Sequence, residues 1–457
     1  MKKKPNVLFV FGDQWRGQAV GYNGDPNVLT PNIDALHAES LNLVDATSGC
    51  PVCSPYRASF LSGLSPLNNG VFVNDVSLSR NSTSIGREFK NAGYNTAYVG
   101  KWHVDGRGRS AYIPPERRQG FDYWKALECT HAYQESYYYS ENSRTKSMWN
   151  GYDAYAQTKD AIRYIDEYDD ERPFFMVLSW GPPHAPYDLA PFETRRLYDP
   201  DRIRLRENVP ESMGHPAREL LAGYYAHCTA LDECVGGLLD SLERNGIAEN
   251  TILVFTSDHG DMLGSQGMWK KQLPFEESIR VPFLLRFPER FGRAGTRVEG
   301  VFIDAVDMMP TLLSIAGILP PAGIDGADLS PEFVGDSSAR SENFALLACY
   351  HAFGQWRSNR DGGPLGYSGR EYRGLRTRRY TYVRDLKGPW LLFDNEADPF
   401  QMRNLVSEPD GSNVVVDLEN QLQTELSRRH DSFRPGMDYV GEWNYQVDSD
   451  GTVPWSW

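Results

Sequence analysis

Cysteine is scarce in this chain. The six residues, at 50, 53, 129, 228, 234 and 349, are too few and too scattered for a disulfide framework. Cys50-Pro-Val-Cys53 has a C-x-x-C spacing, but no second such pair and no closely spaced histidines complete a zinc site. Long apolar runs are missing too: nothing approaches the roughly 18 consecutive apolar residues that span a bilayer. The opening Met-Lys-Lys-Lys-Pro followed by the apolar residues 7–11 imitates a signal peptide. That run is shorter than an h-region, however, and no small-residue cleavage site follows it. Positive charge is in deficit, with 47 basic residues against 61 acidic ones and a formal net charge of −14. Such a field repels phosphate and argues against nucleic acid or an anionic membrane as partner. An anionic substrate would therefore need a local basic pocket. Repeats and low-complexity tracts are also lacking. The expectation is a soluble protein, cytoplasmic as written, or periplasmic or secreted where an export signal has been removed.

The 457 residues are 40% hydrophobic and 24% charged, which suits one large domain and a smaller appendage. Residues 7–11 read as a central strand covered on both faces. Thr30-Pro31 reads as a helix start, with Ile33, Leu36 and Leu41 on its buried face. A β-prone stretch at 95–99, a helix at 155–168, a strand at 174–180, a helix at 220–242 and a strand at 251–256 follow. This alternation predicts an α/β fold with a large, mostly parallel central sheet flanked by helices. Asp13, Lys101, His103 and Asp258 each follow an apolar strand, and in open α/β sheets ligands bind at the carboxyl ends of strands. Residues 1–340 are expected to form the main domain. Residues 341–457 should form a smaller α+β subdomain, with antiparallel strands at 370–383 and 390–393 joined by a turn at Gly388-Pro389. There Val415, Leu418, Leu422 and Leu426 share one helical face.

The most informative segment is Cys53-Ser-Pro-Tyr-Arg57-Ala-Ser-Phe-Leu61-Ser-Gly63. Pro55 suits the first turn of a helix, which places Cys53 at a helix N-terminus. Unpaired amides and the helix dipole there favour a thiolate and attract an oxyanion. Arg57, one turn on, can reach the same anion.

This segment resembles the sulfatase signature C-x-P-x-R followed by Leu-(Ser/Thr)-Gly, whose cysteine is oxidised to formylglycine. The second signature of that family is matched by Gly93-Tyr94-Asn-Thr96-Ala-Tyr-Val-Gly100-Lys101-Trp102-His103. Residues 6–14 and Thr256-Ser-Asp258-His259-Gly260-Asp261 correspond as well, and the similarity runs on through 376–383 and 392–399. The chain is thus similar, over nearly its whole length, to formylglycine-dependent sulfatases of the alkaline-phosphatase-like superfamily.

The resemblance implies hydrolysis of a sulfate ester, on a carbohydrate or a small alcohol. The nucleophile would be a formylglycine made from Cys53 by a formylglycine-generating maturation enzyme. One hydroxyl of its hydrate would attack sulfur, and the second would then expel sulfate. Arg57, Lys101 and His103 correspond to the cluster that supports the nucleophile. His184, in Gly181-Pro-Pro-His184-Ala-Pro186, corresponds to the histidine that protonates the departing oxygen. Lys271, two positions after Trp269, corresponds to the sulfate-binding lysine, with Lys270 the adjacent alternative. The implied metal ligands are Asp13, Gln14, Asp258, His259 and an oxygen of the modified Cys53. Many members carry Asp-Asp and Asp-Asn at these places; Asp-Gln and Asp-His also occur, in choline-sulfatase-like and iduronate-sulfatase-like members. Resemblance points to Ca²⁺. Oxygen ligands favour Ca²⁺ or Mg²⁺, whereas an imidazole brings in Mn²⁺ or Zn²⁺.

Asn74, after the signature helix, and His131 are further pocket candidates. Tyr123, Trp124, Tyr133, Tyr137, Tyr138, Tyr139, Trp149 and Tyr152, with Trp443, Trp455 and Trp457 in the tail, could stack on a sugar or serve packing. Two other readings compete. A phosphonate monoester hydrolase or phosphodiesterase uses the same ligand types, but that group commonly has a small residue before the signature arginine, where this chain has Tyr56. A non-catalytic glycan-binding relative would not be expected to keep every polar position, Cys53 included.

Overall fold

The computed structural model describes residues 3–141, 143–334, 343–354, 356 and 369–456. Ten strands form the large sheet: β1 (Asn6–Asp13), β2 (Leu41–Leu43), β3 (Asn95–Lys101), β4 (Tyr123–Leu127), β5 (Tyr137–Ser140), β6 (Ser147–Met148), β7 (Phe174–Pro183), β8 (Thr251–Ser257), β9 (Leu284–Arg286) and β10 (Thr296–Val298). Their spatial order is β10-β2-β9-β8-β1-β7-β3-β4-β5-β6. The central five, β8-β1-β7-β3-β4, are all parallel, while β9 and β5 run antiparallel to their inner neighbours.

Strand β1 shows why its sequence is apolar without alternation. Val7, Phe9 and Phe11 face one layer, with Phe60 and the helix Ala305–Ile315. Leu8 and Val10 face the other, with the helices Asp153–Asp166 and Gly214–Arg244. Side chains alternate with period two, so a strand covered on both faces must be apolar at every position. Phe60 stacks on Phe9 with ring centroids 4.5 Å apart and seats the signature helix, Cys53–Ser62, on the sheet.

Four antiparallel strands form a second sheet in sequence order: β11 (Phe344–Cys349), β12 (Tyr372–Thr377), β13 (Tyr380–Asp385) and β14 (Gly388–Asp394). The helix Ser412–Arg428 covers one face with Leu418, Leu422 and Leu426. The other face, through Leu347, Tyr372 and Val383, packs on Met268, Leu273 and Phe275 in the loop after β8. The small sheet thereby braces the segment that carries Lys271.

Several local expectations need correction. The helix after Thr30 spans Pro31–His37, so Leu41 lies in β2 and not on that helix's face. Residues 370–383 hold two strands rather than one. Gly388-Pro389 starts β14, and the turn before it is Leu386-Lys387, where Asp385 Oδ1 accepts the Lys387 amide at 2.8 Å. Of the other two helices, one has the expected length but lies two residues earlier, at Asp153–Asp166, and the other runs longer than expected, as Gly214–Arg244. The expected boundary at 340/341 and Trp457 lie outside the described residues. Among the described residues no helix is long and apolar enough to cross a membrane.

Candidate active site

The strand ends deliver Asp13 from β1, Lys101 from β3, and Asp258 just past β8 to one edge of the sheet. Gly100 permits the convergence of β3 and β7: its φ is 109°, and a Cβ there would lie 2.0 Å from the Ser179 carbonyl oxygen. The signature helix enters the same edge with Cys53 as its first residue. No side chain of its N-cap residue, Val52, caps it; instead Asn74 Oδ1 accepts the Ser54 amide at 3.0 Å.

Arg57 organises the two carboxylates. Its Nη2 donates to Asp13 Oδ2 at 3.0 Å and to Asp258 Oδ2 at 3.2 Å, and its Nη1 to Ser179 Oγ and the Lys101 carbonyl. Lys101 Nζ adds a 2.7 Å contact to Asp13 Oδ2. With both Oδ2 atoms occupied, the two Oδ1 atoms turn toward Cys53 and His259. Cys53 Sγ lies 3.5 Å from Asp13 Oδ1, 3.3 Å from His259 Nε2 and 3.1 Å from Lys271 Nζ. His259 Nε2 is 3.6 Å from Asp258 Oδ1 and 3.8 Å from Asp13 Oδ1. The other imidazole nitrogen, Nδ1, donates to the Gly260 carbonyl at 2.9 Å, which leaves the Nε2 lone pair facing the group. Gln14, at a left-handed φ of 72°, borders it: the amide donates to Asp258 Oδ1, Oε1 accepts from Lys271, and Nε2 donates to Asp261.

These donors suit a divalent cation. One ligand atom from each of Asp13, Cys53, Asp258 and His259 lies within 4.8 Å of every other, and all four residues are buried. Burial and the neighbouring Asp13 push the Asp258 carboxyl up to about 6, against the pull of His259 and Arg57. A cation between the two carboxylates would remove that repulsion.

The field around Cys53 is positive. Burial and Asp13 raise its pKa, but Lys271, Lys101 and His259 outweigh them and hold the thiol well below its ordinary value. Burial also opposes ionisation of Asp13, yet Lys101, His184, Lys271 and Arg57 keep it well below the usual carboxylate range. This is the local basic pocket that an acidic chain needs for an anion.

His103 lies beyond the end of β3 at a φ of 60°, so residues 101–103 are not one extended run. It still reaches the site, with Nε2 3.5 Å from Asp75 Oδ1. Burial lowers its pKa, but Cys129, Asp75 and Cys53 lift it to about 9. Arg109 in turn grips Asp75 with two bonds of 2.9 and 2.8 Å, and its guanidinium stacks on Trp455 at 4.0 Å. His184 Nδ1 donates to the Ala185 carbonyl at 2.7 Å, and its ring stacks on His131 at 4.6 Å. Burial, Lys271 and His131 hold its pKa well below the ordinary value. Asn74, His131, His184, Lys271 and Trp269 line a common cavity of about 280 Å³. Lys270, exposed and at a φ of 64°, contributes its backbone amide to Asp261.

Sequence reasoning missed Asp75, Arg109, Ser179 and Tyr187, and named Asp261 within its motif without giving it a role. Only the adjacency of Asp75 to Asn74 could have signalled any of the first four. Conversely, Trp124, Tyr133, Tyr139, Trp149 and Tyr152 are buried in the core, while Tyr137 is exposed. A second cleft, of about 390 Å³, is larger, but its Arg376 is already closed onto Asp45 and Glu276 at 2.9 and 2.8 Å.

The sulfatase family model matches residues 5–318, and a second model, described as N-sulphoglucosamine sulphohydrolase, C-terminal, matches residues 264–428. The chain is 42% identical to an ulvan-active sulfatase of Formosa agariphila, over 97% of this chain and 85% of that protein. It is 31% identical to an endo-4-O-sulfatase of Bacteroides thetaiotaomicron, over 93% and 92%. A solved sulfatase from work on glycosaminoglycan metabolism by Bacteroides thetaiotaomicron superposes with a TM-score of 0.83 at 28% identity, covering 99% of this chain and 100% of that one.

Proposed function

Since this chain belongs to the sulfatase family and is a sulfatase, we propose that it removes sulfate from a sulfated carbohydrate, using a nucleophile derived from Cys53. The observation that carries this reading is the placing of Cys53 Sγ between Asp13, His259 and Lys271 at a helix N-terminus. Two relatives named for ulvan and for 4-O-sulfate support a glycan substrate.

As its hydrate, a formylglycine at position 53 would supply a hydroxyl nucleophile that a thiol lacks. Asp13, Asp258 and His259, with Gln14 at the border, would hold a divalent cation, whose charge would offset the sulfate oxygens. We take the ion to be Ca²⁺ on the weight of the oxygen donors, with Mn²⁺ or Mg²⁺ as the alternatives to be measured. Lys271 and Lys101 hold positive charge against the sulfate, and Arg57 keeps both carboxylates turned. His103, fixed by Asp75, orients the group at position 53. His184 presents Nε2 to the departing oxygen and gives it a proton.

A formylglycine-generating enzyme coexpressed with the chain should lower the mass of the Cys53 peptide by about 18 Da, the change from thiol to aldehyde. Matured protein is then offered sulfated sugars, a phosphonate monoester and a phosphate diester. Sulfate release from a sugar is expected to be fastest; faster turnover of the phosphonate would overturn the reading.

A further inference from the structure

The segment that carries His184, residues 181–187 at the end of β7 and beyond it, is held from behind by side chains with no place in the chemistry above. His227, fully buried on the helix Gly214–Arg244, lies with Nε2 3.1 Å from the Pro186 carbonyl oxygen and Nδ1 2.6 Å from Tyr152 Oη. A carbonyl can only accept, so Nε2 carries the proton and donates it to Pro186, while Nδ1 accepts from the tyrosine hydroxyl. Both ring nitrogens are thus used, and burial pushes the imidazole down to about 4, which keeps it neutral. Tyr133, also fully buried, stands edge-on to His227 at 5.6 Å. Its one hydroxyl proton lies between the carbonyls of Gly181 and Ala185, at 3.4 and 3.3 Å, and the Ala185 oxygen also accepts from His184 Nδ1 at 2.7 Å.

We infer that His227, together with Tyr133, is a positioning residue that fixes the His184 imidazole with Nε2 toward the leaving group. The geometry leaves little slack. The carbonyl that sets the His184 tautomer is pinned by Tyr133, and the next carbonyl is pinned by His227. A shift of about 1 Å in a reacting group costs on the order of 10²-fold, so loosening these two anchors reaches the proton-transfer step without touching the sulfate.

The inference rests on the acid role given to His184, and its test separates the two. The matured, metal-loaded enzyme is measured as kcat/KM on an alkyl or sugar sulfate, which needs a proton on its leaving oxygen, and on nitrophenyl sulfate, which needs far less help. His227→Phe keeps a flat aromatic ring, slightly larger, but neither bonds Pro186 nor accepts from Tyr152. It should lose about 10–10²-fold on the alkyl ester and only about twofold on the nitrophenyl ester. His227→Gln, which retains an N–H donor, should recover part of the loss. On the alkyl ester the double variant His184→Ala/His227→Phe should be no slower than His184→Ala alone, because the residue being positioned is gone. Equal losses on the two esters, or losses that multiply in the double variant, overturn the positioning role. If His227→Phe does not fold, Tyr133→Phe, which removes one hydroxyl, must show the same leaving-group selectivity or the inference falls. Unselective loss from His184→Ala itself would instead remove the acid role, and the inference with it.

Discussion

Arg57, at the edge of the large sheet, and Arg373, in the small one, are both buried cations with carboxylate partners. Around Arg373 the network closes. Asp431 takes Nε and Nη2, the carbonyls of Cys349 and Tyr372 take Nη1, and the rings of Tyr350 and Phe433 cover the guanidinium at 4.2 and 4.6 Å. Around Arg57 it stays open: Nε has no hydrogen-bond partner, and Asp13 and Asp258 each keep one oxygen aimed at Cys53 and His259. The two arginines have similar burial and similar partners, yet only one network leaves bonding capacity directed at a common point. Burial of charge alone does not mark a site; unspent, convergent valence does.

The sharpest break between the two regions should come from Cys53→Ala. Sulfate release by the matured enzyme is expected to fall by about 10⁴-fold or more, with the thermal unfolding midpoint nearly unchanged. Retained turnover would erase the distinction. His184→Ala is next, with a loss of about 10²–10⁴-fold on an alkyl sulfate and much less on nitrophenyl sulfate. Lys271→Ala should damage both esters alike, because the sulfate is common to them.

In the closed network the order of effects reverses. Asp431→Ala strands the Arg373 guanidinium and should cost about 3–5 kcal/mol of stability by denaturant titration. The protein that remains folded should keep its kcat within about twofold. The smallest effect belongs to a closed but solvated pair, Arg434–Glu442, whose side chains are 38% and 54% exposed. Glu442→Gln should leave the thermal unfolding midpoint nearly unchanged; a clear shift would show that closure matters more than burial.

The open network was the more legible of the two in the sequence, because its members follow apolar strands or sit in dense motifs. Asp13 and Asp258 are separated by 244 intervening residues, yet both directly terminate strands that pair in register, Gly12 opposite Ser257. Asp75 and Arg109 follow no strand and belong to no periodic pattern, and their meeting is set by loops that only the folded chain brings together. Leu41 was misplaced because a residue four or five positions past a helix face keeps helical spacing even after the chain has turned into β2. Gly388-Pro389 read as a turn because both residues favour turns. Strand β14 lies at the sheet edge, however, and Pro389 pairs with Arg384 beside a register shift, the kind of position where a missing N–H is tolerated.

The cavity beside Lys271 draws its lining from both parts of the chain: His131, His184 and Lys271 from the larger, Phe353, Trp356 and Thr452 from the smaller. His184 follows directly on β7, whereas Phe353, Trp356 and Thr452 come from segments near the second sheet, which also braces Lys271. Substitutions beyond residue 350 can therefore reshape that side of the cavity without replacing any side chain around Cys53.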